Sequence, residues 1–72
     1  MNIQTDDALW DRFAGDQGPV EFLKYAAAAG QTIREAVTEG VAEWINNEPD
    51  CDWADAASAV VDQLVRYLER AV

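Results

Sequence analysis

"WADAASAVVDQLVRYLER", residues 53–70, decides the fold. Its apolar positions are Trp53, Ala56, Ala57, Val60, Val61, Leu64, Val65 and Leu68. That is the i, i+3, i+4, i+7, i+8 spacing of a helix that buries one side. A half-buried strand would alternate every second residue, and this stretch does not. The opposite side carries Asp62, Gln63, Arg66, Glu69 and Arg70. Asp62 and Arg66 are spaced for an i,i+4 ion pair. Asp52 stands where an N-cap is needed, with Asp55 at the third position after it. Just upstream, "NNEPD" (46–50) ends the preceding element. Asn47 tolerates left-handed backbone, and Pro49 blocks helix continuation.

Working back along the chain, the same signals recur. In "IREAVTEGVAEW" (33–44) and the residue after it, Ile33, Val37, Val41, Trp44 and Ile45 form one stripe, flanked by Ala36 and Gly40. A mid-helix glycine costs about 1 kcal/mol against alanine, so Gly40 implies a close contact. Thr32 and Glu35 fit a capping box that opens this helix. Gly30 can end the helix before it, although one continuous helix through Gly30 is the alternative. That earlier helix begins at Gly18-Pro19, with proline at the first helical position. Val20, Phe22, Leu23, Ala26 and Ala27 give it a wide apolar face. The alanine run 26–29 suits helix formation and would let a neighbour approach closely. The first helix presents Leu9, Trp10 and Phe13, with Thr5 or Asp6 as cap and Gly15 as terminator.

The predicted fold is therefore all-α: a compact single-domain bundle of three to four short helices, at about 6–14, 19–29, 33–46 and 53–70. No hairpin dipeptide separates alternating segments, and no repeat, linker or low-complexity tract interrupts the 72 residues. A chain of this length buries only about 60% of its unfolded surface, so its stability margin is thin. Its single cysteine, Cys51, excludes a disulfide within the chain, and the absence of histidine argues against a structural zinc. The opening "MNIQTDD" has neither a basic nor an apolar leader segment, and no apolar run approaches membrane-spanning length. A cytoplasmic location is expected, in a host cell's cytoplasm if the chain is phage-encoded.

The residues also exclude several chemistries. Without histidine, neither Ser58 nor Cys51 has a base to activate it. Asp50 and Asp52 would raise the Cys51 pKa instead of lowering it. "DCDWAD" (50–55) begins like a calcium loop, but no glycine stands sixth and Val61 occupies the twelfth position. Size and acidity are also those of acyl carrier proteins, yet Ser58 lies in Ala-Ser-Ala, not in the Asp-Ser-Leu that carries their prosthetic arm. No enzyme activity, cofactor or metal is expected. The five basic residues, Arg12, Lys24, Arg34, Arg66 and Arg70, are dispersed among fourteen acids, and the net charge is −9. Direct nucleic-acid binding is disfavoured, and a basic partner is favoured.

One acidic pattern calls for a reason. Glu35, Glu39 and Glu43 repeat every four residues, and no Lys or Arg follows any of them within four. At about 1.5 Å rise per residue they stand roughly 6 Å apart, close to the spacing of phosphates along a nucleic-acid strand. Glu48, Asp50, Asp52 and Asp55 continue the acidic run. These seven carboxylates are the candidate partner-binding residues. A solvated face of an acidic protein would also account for them.

In size, acidity, helical character and lack of catalytic residues, the chain resembles small acidic phage-encoded inhibitors of the anti-CRISPR kind. That resemblance implies an inhibitor that occupies the basic nucleic-acid-binding surface of a partner, such as an effector complex. The alternative expectation is a structural or regulatory interaction subunit, such as an antitoxin or a helical homodimer. Monomer and homodimer both remain open at this level.

Overall fold

The computed structural model describes residues 5–47 and 54–71. The elements are α1 (Asp6–Ala14), α2 (Pro19–Ala28), α3 (Ile33–Asn47) and α4 (Ala57–Ala71), with a 3-10 turn at Ala54–Ala56 before α4. Among the described residues every regular element is helical, and the architecture is a small all-α bundle.

Local chemistry sets the helix ends. Gly15 adopts φ 63°, ψ −128°, and the Gln17 N–H donates to the Ala14 carbonyl at 3.2 Å. That is a type II′ turn, which needs glycine at its first central position. The turn aims the Gln17 carbonyl at the Trp10 indole, whose Nε1–H donates to it at 3.0 Å. Trp10 is 3% exposed, so this bond satisfies a polar group that would otherwise be buried unpaired.

Gly30 ends α2 with φ 72°. The Gln31 N–H reaches the Ala26 carbonyl (2.9 Å) and the Gly30 N–H reaches that of Ala27 (3.1 Å). This pair of bonds is a Schellman motif, and it rules out a helix continuous through Gly30. The next helix opens with the expected capping box. The Glu35 N–H donates to Thr32 Oγ1 (3.1 Å), and the Thr32 N–H donates to Glu35 Oε1 (3.0 Å).

Helix α4 is the hub. It packs most extensively on α3, then on α1 and α2. Val60, Val61, Leu64, Val65 and Leu68 are buried, as their spacing requires. They meet Leu9 and Trp10 of α1, Phe22 and Ala26 of α2, and Ala36, Val37 and Val41 of α3 in one apolar cluster. Five aromatic rings tie the four helices together. Trp10 stacks on Tyr67 (centroids 5.2 Å, planes 11° apart) and meets Phe22 edge-on at 5.6 Å. Phe13 lies 5.7 Å from Trp44 and 5.9 Å from Phe22. Such pairs each add about 0.5–1.5 kcal/mol beyond burial.

Gly40 has the contact that its cost implied. A Cβ there would sit 2.7 Å from Phe13 Cζ and 3.0 Å from Cε1. The Phe13 ring thus occupies the space where α3 lacks a side chain.

Three expectations are corrected. The last helix does not run as an α-helix from residue 53: residues 54–56 form a 3-10 turn, the α-helix starts at Ala57, and it continues to Ala71. Its cap Asp52, together with Cys51 and Trp53, lies outside the described residues. The wide apolar face of α2 is only partly buried. Phe22 and Ala26 are inside and Leu23 packs partly, whereas Val20 is 54% exposed and Ala27 is exposed. A ten-residue helix resting on α3 and α4 can bury one stripe, and these two side chains fall beyond it. Finally, the Asp62 carboxylate pairs with Arg34 of α3 at 2.7 Å instead of Arg66. Arg66 reaches only the Asp62 backbone carbonyl, at 3.5 Å.

Candidate functional site

The core stripe of α3 fixes the direction of its acids. With Val37 and Val41 buried, the helix period turns Glu35, Glu39 and Glu43 away from the core, and all three are exposed. They form a slanted row along α3, with exposed Thr38 and Ala42 beside it. Asp55 is exposed in the 3-10 turn ahead of α4. Glu48, Asp50 and Asp52 lie outside the described residues, so only four of the seven candidate carboxylates have a described position.

The three glutamates are not equivalent. Glu35 closes the capping box. Its hydrogen bonds from the Thr32 backbone and then from the Thr32 side chain hold its pKa below the usual carboxylate value. Glu39 accepts a hydrogen bond from the Gln31 side-chain amide. Helix capping therefore accounts for Glu35, as its spacing from Thr32 implied, and the fold adds the Gln31 bond to Glu39. Neither bond neutralises charge. Among the described residues the ion pairs are Lys24–Glu21 at 3.8 Å, Arg34–Asp62 at 2.7 Å, and Arg70–Asp6. All three engage acids outside the row. Arg34, the cation nearest to Glu35 in sequence, is drawn across to α4.

A shallow groove of about 290 Å³ runs between α3 and α4, beside this face. Val41, Ala42, Ala57 and Val61 form its apolar part, and Arg34, Thr38, Ser58 and Asp62 form the remainder. The Thr38 hydroxyl donates to the Arg34 carbonyl (2.7 Å) and the Arg34–Asp62 pair bridges the two helices there. Another hollow lies where α1 meets the end of α4, lined by Asp6, Gln63, Arg66, Glu69 and Arg70. Both signs of charge meet in it, and the Gln63 side-chain oxygen is buried there without a hydrogen-bond partner.

Among the described residues no cluster of three or more His, Cys, Asp or Glu is placed to hold a metal ion. No helix of the described residues is long and apolar enough to cross a membrane. No protein-family model matches the chain, and neither does a curated protein or a solved structure.

Proposed function

We propose that this chain is a non-enzymatic acidic binding protein that docks through α3 onto a basic surface of a partner protein. That surface would be one that otherwise holds nucleic acid, which makes the chain an inhibitor of the anti-CRISPR kind. The observation that carries this reading is the row Glu35, Glu39 and Glu43. These carboxylates are exposed along one helix, while the ion pairs of Lys24, Arg34 and Arg70 engage Glu21, Asp62 and Asp6. A field of one sign on a rigid helix accelerates encounter with an oppositely charged groove and disfavours partners of like charge. Asp55, exposed in the turn ahead of α4, continues the acidic run in sequence with Glu48, Asp50 and Asp52.

The test compares immobilised wild-type chain with the double variant Glu39→Lys/Glu43→Lys. Both are challenged with host lysate at low salt and eluted at high salt. The wild type should retain a basic nucleic-acid-binding protein, release it with salt, and lose it to added nucleic acid. The variant should fail to retain it while keeping its helical circular dichroism. Equal capture by both chains would remove the α3 row from the mechanism.

A further inference from the structure

Among the described residues, two large apolar side chains stand out on the surface, and both belong to α2: Val20 is 54% exposed and Tyr25 is 65% exposed. Between them around the helix lie Lys24, Ala28 and Glu21, all exposed. The outer side of α2 therefore carries one positive and one negative charge, on a chain whose net charge is −9. Most approaches of one copy to another bring like charges together. An antiparallel contact through α2 sets opposite charges level instead.

We infer that the outer face of α2 is a self-association surface, on which a second copy of this chain docks antiparallel about a two-fold axis. Charge selects both the occupant and the direction. In an antiparallel pair centred between Phe22 and Leu23, Glu21 of each copy comes level with Lys24 of the other. Two intermolecular ion pairs form, each the image of its mate, as a two-fold interface requires. A parallel pair would instead set Glu21 against Glu21 and Lys24 against Lys24. Val20 and Tyr25 stand on opposite flanks of the face. A two-fold axis brings the two Val20 flanks together along one edge of the contact and the two Tyr25 flanks along the other. Within one chain, Lys24 and Glu21 are 3.8 Å apart and about 70% exposed. Such an exposed pair is held weakly, so both side chains are available to re-pair across the contact. A single ten-residue helix offers a contact at the small end of protein interfaces, so association is weak and concentration-dependent. A highly basic partner has no comparable reason to choose this face over α3.

The test is sedimentation equilibrium from micromolar to millimolar chain, on the wild type, Glu21→Lys, Lys24→Glu, and an equimolar mixture of the two variants. The wild type should rise from the monomer mass towards twice that value. Each single variant places two like-charged contacts across the axis and should stay at the monomer mass with unchanged circular dichroism. The mixture restores both opposite-charge contacts and should rise again. Three results would overturn the inference: a wild type that stays monomeric throughout, a single variant that associates like the wild type, or a mixture that stays monomeric. Neither substitution touches Glu35, Glu39 or Glu43, so this surface and the acidic face of α3 stand or fall separately.

Discussion

Replacing Gly40 with alanine sets two measurable effects against each other. Helix propensity alone predicts a gain of about 1 kcal/mol, because α3 continues for seven residues on each side of Gly40. The structure predicts a larger loss. The new Cβ would meet Phe13 Cζ at 2.7 Å and Cε1 at 3.0 Å, whereas relaxed carbon contacts lie at about 3.5–4.0 Å. The ring must retreat by roughly 1 Å to reach that separation. It cannot do so freely, because Trp10, Phe22 and Trp44 pack around it with centroids 5.7–5.9 Å away. Overpacking of this kind costs about 1–3 kcal/mol. The net effect should be a loss of about 1 kcal/mol, or about 1 M in the urea midpoint for a chain this small. The decisive measurement is a double-mutant cycle with Phe13→Leu, followed by far-ultraviolet circular dichroism in urea. Leucine lacks the outer edge of the ring, so in that background Gly40→Ala should stabilise by up to about 1 kcal/mol. Equal shifts in both backgrounds, or a stabilised Gly40→Ala single variant, would refute the claim that Phe13 is what keeps this position glycine.

Further substitutions probe the rest of the frame. Leu64 is fully buried on the hub helix, so Leu64→Ala should cost about 2–5 kcal/mol, a large part of the stability of so small a chain, read as the urea midpoint. Thr32→Ala removes the N-cap of α3 and should cost about 0.5–2 kcal/mol in the same assay. Glu35 has a folded-state pKa below its unfolded value, so its stabilising contribution is present above the unfolded pKa and is lost as pH falls through the folded one. An acid titration of stability should therefore show a smaller loss below the ordinary glutamate range in Glu35→Gln, whose amide keeps a cap acceptor but does not titrate. The exposed Arg34–Asp62 pair should give a coupling of no more than about 1 kcal/mol in a double-mutant cycle, shrinking with added salt.

The helix ends were legible because their causes are local. Gly30 with its two backbone bonds, Thr32 with Glu35, and Pro19 after Gly18 each act within a few residues. The buried face of α4 was legible because one periodicity runs through all of it. Tyr67 was missed, although it lies three residues after Leu64 and seven after Val60 and so continues one edge of that face. Its value depends on Trp10, far away in sequence, which periodicity does not register. The partner of Asp62 was misread for the same reason: Arg66 is one turn away, whereas Arg34 is brought close only by the packing of α3 on α4. Val20 and Ala27 show a different limit, since hydrophobicity says which side chains can be buried but not whether a neighbour is there to cover them. In the acidic row, spacing conveyed exposure and sign. The capping-box bonds between Thr32 and Glu35 were legible in their spacing, whereas the bond from Gln31 to Glu39 emerged only with the fold.

The Asp6–Arg70 ion pair joins positions 64 residues apart. The outer ends of α1 and α4 are therefore neighbours, and a few flexible residues would span the gap from Ala71 to Thr5. A circular permutant could be joined there and reopened between Gln17 and Gly18, which keeps the turn and the carbonyl bonded to Trp10 attached to α1. Its first helix would then be α2 and its last α1, around an unaltered core. Such a rearranged gene would carry a tag or fluorophore at the far end of α1, away from the Asp6–Arg70 pair.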